Sequence, residues 1–284
     1  MLSDDFQVIG YLPDYRSLEP SWGNCLTDLI YFSAEPLANG GLDTHRLNPE
    51  TLQSLRDVRE RYGTRIHISV GGFRRSDNFS EMATNSRARK NFVENLVAFC
   101  KQYDLDGVDF DWEFPENETE FQSYIALIRE VQQRGLFVSV ALYPTEDLVI
   151  QPYLVADRIH VMSYDRGAQH ATFQQAVEDL QLFTNNGIPK EKLMLGIPFY
   201  GRQTSAPSTS FAYSEIIEQY HPPPDSDEVA GIYFNGITTV ERKTCYAQEN
   251  GYGGIMIWEL GQDSGDETSL LRAAFRAVIG GCEI

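Results

Sequence analysis

The chain has 284 residues, with 41 acidic against 23 basic side chains and a formal charge of −18. That balance argues against a nucleic-acid or anionic-membrane partner, and it suits a neutral substrate such as a sugar. A hydrophobic content of 42% allows a sizeable core, while no apolar run approaches the ~20 residues of a membrane span. No basic segment followed by an apolar stretch opens the sequence, so the expectation is a cytoplasmic protein or one whose signal has been removed. Cys25, Cys100, Cys245 and Cys282 lie far apart and form no C-x-x-C pair. Neither a metal site nor a redox motif is expected; free thiols are the default, with a disulfide left open.

In chain order, short apolar or β-branched runs predict strands over 8–12, 29–34, 65–70, 107–112, 137–142, 158–163, 193–198 and 254–258. Amphipathic segments over 49–62, 86–103, 118–134, 173–185 and 239–250 read as helices between them. Alternation on this scale predicts a (β/α)8 TIM barrel, one domain over residues 1–284. The alternative is an open doubly wound sheet, which calls for a Gly-rich phosphate turn after an early strand; that pattern is absent. Between Arg202 and Tyr252 the chain carries the polar run 203–210, the break His221-Pro222-Pro223-Pro224-Asp225, and a segment 228–234 with room for a short strand or two. The reading is an elaborated loop after strand 7, over the barrel mouth.

One stretch stands out, Leu105-Asp106-Gly107-Val108-Asp109-Phe110-Asp111-Trp112-Glu113. Strand side chains alternate between faces, so Asp109, Asp111 and Glu113 share one face while Val108, Phe110 and Trp112 pack on the other. Clustered carboxylates repel one another and resist desolvation, which raises at least one pKa and keeps an acid protonated for general-acid work. A solvated acidic strand is the competing reading, but Phe110 and Trp112 ask for burial and the segment ends at Pro115. Other polar or aromatic side chains also stand where predicted strands end: Tyr11, Glu35, Ser69, Tyr143, Tyr164, Asp165, Tyr200 and Trp258. Active sites of (β/α)8 barrels are built from those ends.

The segment Asp106–Glu113 resembles the D-G-x-D-x-D-W-E signature of family 18 glycoside hydrolases, the chitinase family. Ser69-Val70-Gly71-Gly72 resembles the family's S-x-G-G, Met162-Ser163-Tyr164-Asp165 its M-x-Y-D, and Gly196–Arg202 its G-x-P-x-Y-G-R. Gly253–Trp258 is similar to its last strand with a terminal tryptophan, and Gly10-Tyr11 and Ile30–Ala34 to its first two strands. The resemblance spans nearly the whole chain in the expected order.

It implies a retaining mechanism in which the nucleophile is the substrate's own 2-acetamido oxygen, an exception to the two-carboxylate scheme. Glu113 would be the general acid and then the base, Asp111 would stabilise the positive oxazolinium ion, and Asp109 would share a proton with Asp111. Tyr164 would hold the acetamido carbonyl, Asp165 would contact sugar hydroxyls, and Trp258 would floor the sugar ring. Gly71 and Gly72 would let strand 3 end close to the acids, with Ser69 bonded toward Asp109. Tyr11, Tyr200 and Arg202 complete the candidate substrate-binding set, each with packing as the competing role.

Packing is the plainer reading of Tyr143, Tyr153, Phe199 and Trp22, and turn fixing that of Asp106. Glu35 is open between sugar binding and an ion pair. His45, His67, His160, His170 and His221 show no ligand spacing, so no metal is expected; His67 and His160 read as core groups. The implied partner is an N-acetylglucosamine-containing oligosaccharide or polysaccharide, with no cofactor, no nucleic acid and no membrane, and a monomer is expected. A chitinase is the simplest activity; an endo-β-N-acetylglucosaminidase, a non-catalytic chitin-binding lectin and a peptidoglycan-active hydrolase are the alternatives. The fifty or so residues after strand 7 do not clearly reproduce the α+β subdomain of larger family members.

Overall fold

The structure is a computed structural model that describes residues 6–145, 149–206 and 209–282. The chain has the predicted alternation and folds as a (β/α)8 barrel. Its parallel strands are β1 (Gln7–Pro13), β2 (Asp28–Pro36), β3 (Arg65–Gly71), β4 (Gly107–Asp111), β5 (Phe137–Leu142), β6 (Arg158–Val161), β7 (Leu193–Pro198) and β8 (Gly254–Trp258). The main helices are α1 (Pro49–Tyr62), α2 (Ser86–Tyr103), α3 (Glu118–Gln132), α4 (Phe173–Asn185), α5 (Ile237–Glu249) and α6 (Leu270–Gly280).

Local chemistry sets the helix starts. Asn48 accepts from the Glu50 N–H at 2.8 Å, ahead of Pro49 in the first turn of α1, and Asn117 accepts from the Glu120 N–H at 3.1 Å to start α3. Thr172 and Gln175 close a reciprocal capping box on α4, each bonding the other's backbone N–H.

Contacts divide the chain into two compact units. One holds residues 12–23 and 28–159. In it β2, β3, β4 and β5 run parallel as successive neighbours, and Ser69 pairs with Asp109, Gly71 with Asp111, and Asp109 with Ser139. This register brings both flanking strands' small side chains to the acidic strand. Where β2 and β3 start, Asp28 is fully buried and bonded by Arg65 at 2.7 and 2.9 Å, by His67 Nε2 at 2.9 Å, and paired with Arg158 at 3.2 Å. His67 is thus a core group, as its place in a strand suggested.

The other unit holds residues 24–27 and the described parts of 1–11 and 160–284. There β8 lies between β1 and β7, parallel to both. Three features here go beyond the sequence reading. In the segment after β7 the short strands expected over 228–234 are present as Glu228–Val229 and Ile232–Tyr233, and they join Tyr200–Gln203 and Ser210–Ala212, which were not expected, in an antiparallel sheet with a helix at Tyr213–Tyr220. The helix α6 was not predicted, although Leu270, Leu271, Ala274, Ala277 and Val278 give it a buried apolar stripe. Finally, Cys245 and Cys282 form a disulfide with Cα atoms 5.4 Å apart, against the default of free thiols; Cys25 and Cys100 are free.

Candidate active site

Strand β4 does what its alternation predicts. Val108, Phe110 and Trp112 are buried on the apolar face, and Trp112 stacks on Phe79 with ring centres 5.1 Å apart and planes within 9°. On the opposite face Asp109 is fully buried, with Ser69 Oγ donating to Oδ2 at 3.2 Å and Ser139 Oγ to Oδ1 at 2.7 Å. The expected Ser69 contact is present, and Ser139 adds a second donor that sequence reasoning missed.

Asp111 is also buried, 6% exposed. Burial, then the negative charges of Glu113 and Asp109 and a hydrogen bond with Glu113, push its carboxyl well above the usual range. Its Oδ1 is buried without a hydrogen-bond partner. Glu113 is half-buried and lies past the end of β4 rather than on it, since the strand stops at Asp111. Its backbone N–H donates to Ser76 Oγ at 3.1 Å. Ser76 Oγ in turn donates to the carbonyls of Asp111 at 3.1 Å and Gly72 at 3.2 Å. Ser76 was invisible to motif reading because its role depends on where the loop after β3 returns.

Gly71 and Gly72 have φ of 98° and 106°. A Cβ on Gly71 would lie 2.4 Å from the Asp111 carbonyl oxygen, and one on Gly72 would lie 2.3 Å from the Phe32 ring and 3.4 Å from Asp111 Oδ2. Only glycine lets β3 end this close to the acids.

The second unit carries an aromatic and acidic group. Tyr164 and Asp165 follow β6, and Asp165 has a left-handed backbone, φ 66°. Its Oδ1 accepts from the Tyr200 hydroxyl at 2.6 Å and pairs with Arg202 Nε at 2.9 Å and His170 Nδ1 at 3.5 Å. Burial opposes its ionisation, but His170, Tyr200 and Arg202 outweigh it and hold the carboxyl below its usual range. Tyr164 is 7% exposed, its ring edge-on to Tyr200 at 6.3 Å. Tyr11 is buried edge-on to Trp258 at 5.5 Å, and its hydroxyl bonds His160 Nδ1 at 2.8 Å. Trp258 ends β8 and stays partly exposed.

Of the plainer readings, Asp106 ties the chain ahead of β4 to β3 and α1, accepting from the Ile66 N–H at 2.8 Å and from Arg59 at 2.9 Å. Glu35 pairs with Arg46 at 2.9 Å, and Tyr153 packs edge-on against Tyr124.

Residues 7–263 match the model of Glycosyl hydrolases family 18. The chain belongs to this family. Its fold agrees over nearly its whole length with two solved chitinase structures. A chitinase of Flavobacterium johnsoniae is 30% identical, with a TM-score of 0.83, covering 97% of this chain and 94% of that one. A chitinase of Bacteroides thetaiotaomicron is 26% identical, with a TM-score of 0.85 and 98% of each chain covered. Among curated sequences, a probable chitinase of Drosophila melanogaster is 24% identical over 93% of this chain. This family 18 chain spans only 15% to 65% of the lengths of that relative and two further curated chitinases.

Proposed function

We propose that this family 18 member is a chitinase-like hydrolase that cleaves β-1,4 bonds beside N-acetylglucosamine units, acting as one catalytic domain and as a monomer. One observation carries the reading: a graded set of carboxyls on β4 and just past its end. Asp109 is deep and pinned by two serines, Asp111 is buried with a raised pKa beside Glu113, and Glu113 is half-exposed at the strand's end.

In the proposed reaction Glu113 protonates the glycosidic oxygen as the substrate's acetamido oxygen attacks C1 from the other face. The leaving sugar departs with that proton, and the oxazolinium ion left behind is positive. Asp111, buried beside Glu113 and Asp109, stabilises the ion as a carboxylate once its proton is shared toward Asp109. Water then attacks C1, giving its proton to Glu113, so the anomeric configuration is retained. Tyr164 orients the acetamido group, Asp165 binds sugar hydroxyls held in place by Tyr200 and Arg202, and Trp258 with Tyr11 supports the ring. Ser69, Gly71 and Gly72 shape the acidic end of β3. The likeness to two solved chitinases and the chain's acidity, which disfavours nucleic acid and anionic membranes, support a neutral chitin-type substrate.

Digestion of chitotetraose to chitohexaose and of an N-linked glycoprotein, with products read by mass, tests the substrate. Cleavage of the chito-oligosaccharides alone is the expected result. Release of glycan alone would replace the proposal by an endo-β-N-acetylglucosaminidase, and binding without cleavage of either would make the protein a lectin.

A further inference from the structure

Asp165 keeps a left-handed backbone at φ 66°, a conformation that a non-glycine residue holds only where its surroundings determine it. Of the three groups on its Oδ1, Tyr200 and Arg202 stand in the G-x-P-x-Y-G-R segment. His170 belongs to no motif. Its side chain is completely buried, its ring lies 5.1 Å from that of Tyr200 at a 30° tilt, and it meets Tyr233 edge-on at 6.1 Å.

Neither ring nitrogen of His170 has a well-formed hydrogen bond, and Nδ1 stands 3.5 Å from Asp165 Oδ1. A phenyl ring would fill the space between two tyrosines without desolvating two polar nitrogens, so packing alone does not account for an imidazole here. Contacts of this kind are often long in the free protein and tighten when substrate binds. The backbone around His170 is fixed. The Ala171 carbonyl accepts from Lys243 Nζ at 2.9 Å and Asn235 Nδ2 at 2.8 Å, Lys243 also donates to Asn235 Oδ1 at 2.7 Å, and the Arg166 N–H donates to the His170 carbonyl at 3.2 Å. Ring placement at 170 is therefore passed to Asp165 rather than lost in loop movement.

We propose that His170 is a positioning residue: its Nδ1 side holds the Asp165 carboxylate against Tyr200 and Arg202, which fixes the turn that presents Tyr164 and Asp165 to the acetamido sugar. The inference rests on the roles proposed above for Tyr164 and Asp165.

The test compares His170→Phe, which keeps the ring shape, with His170→Asn, whose amide nitrogen takes the place of Nδ1. Chitotetraose kinetics, thermal unfolding and crystal structures are measured for both. The expected result is a fall in kcat of about 10-fold for His170→Phe with little change in unfolding temperature, and recovery to within about 3-fold of wild type for His170→Asn, the scale of one charge-assisted hydrogen bond. The His170→Phe crystal structure is expected to show Asp165 leaving Tyr200 and Arg202. Equal kcat in both variants, or an unmoved Asp165 in His170→Phe, would overturn the proposal. The crystallographic result stands even if wild type leaves chitotetraose uncut, an outcome that counts against the proposed function alone. Should His170→Phe not fold, His170→Gln replaces it, with its amide displaced toward Nε2 and the same low kcat expected.

Discussion

A carboxyl buried beside two others is costly to ionise, and Asp111 is placed that way between Asp109 and Glu113. Its folded-state pKa lies above the unfolded value, so the folded state holds a proton that the unfolded state has released between those two values. Stability therefore falls as pH rises through that window, and the full cost is present above it. Asp111→Asn removes the ionisation while keeping the shape. The variant is expected to unfold at a higher temperature than wild type at pH 7 to 8, with the gain shrinking toward pH 4, and to lose at least about 100-fold in kcat as a lost electrostatic stabiliser. Calorimetric melts across pH, beside rates, check both halves; a variant less stable than wild type at neutral pH would show that Asp111 is not strained by its neighbours. The acidic ladder was legible because a strand's period of two is written in the residues themselves. Ser139, Ser76 and His170 were not, because serine and histidine carry no signal until register and loop return put Ser139 opposite Asp109 and Ser76 beneath Glu113.

At the scale of elements, the strand starts depend on Asp28, which joins β2 to β3 and β6 through Arg65, His67 and Arg158. Burial opposes its ionisation, but the hydrogen bonds from His67 and Arg65 and the charge of Arg158 win, and the carboxyl is held well below its usual range. A depressed folded-state pKa stabilises above the unfolded value and loses that contribution as pH falls through the folded one. Asp28→Asn leaves Arg158 buried against an uncharged partner and is expected to cost about 3 kcal/mol in urea unfolding at pH 7, with the difference from wild type shrinking below about pH 4. A cost under about 0.5 kcal/mol would place the cluster among ion pairs that contribute nothing net. Strands β5, β7 and β8 and helices α1, α2 and α4 match the sequence reading to the residue. Strong apolar periodicity between clear caps made them readable. After β7 the room for a short strand or two over 228–234 was legible and two strands form there, whereas Tyr200–Gln203 and Ser210–Ala212 were not, since they are short and are defined by pairing with one another and with Ile232–Tyr233.

For the whole molecule, the order of motifs along the chain was the legible feature, and the family match over residues 7–263 agrees with it. The disulfide between Cys245 and Cys282 was not legible, because residues 37 apart in sequence reveal their proximity only once α5 and α6 are packed. In the proposed reaction proton transfer by Glu113 drives hydrolysis, and the most direct measurement of it is the turnover of chitotetraose by Glu113→Gln beside wild type. A loss of about 100-fold to 10,000-fold in kcat is predicted, the usual contribution of a general acid, with oligosaccharide affinity and unfolding temperature close to wild type. Turnover within a few-fold of wild type would contradict the account and move the acid to another residue.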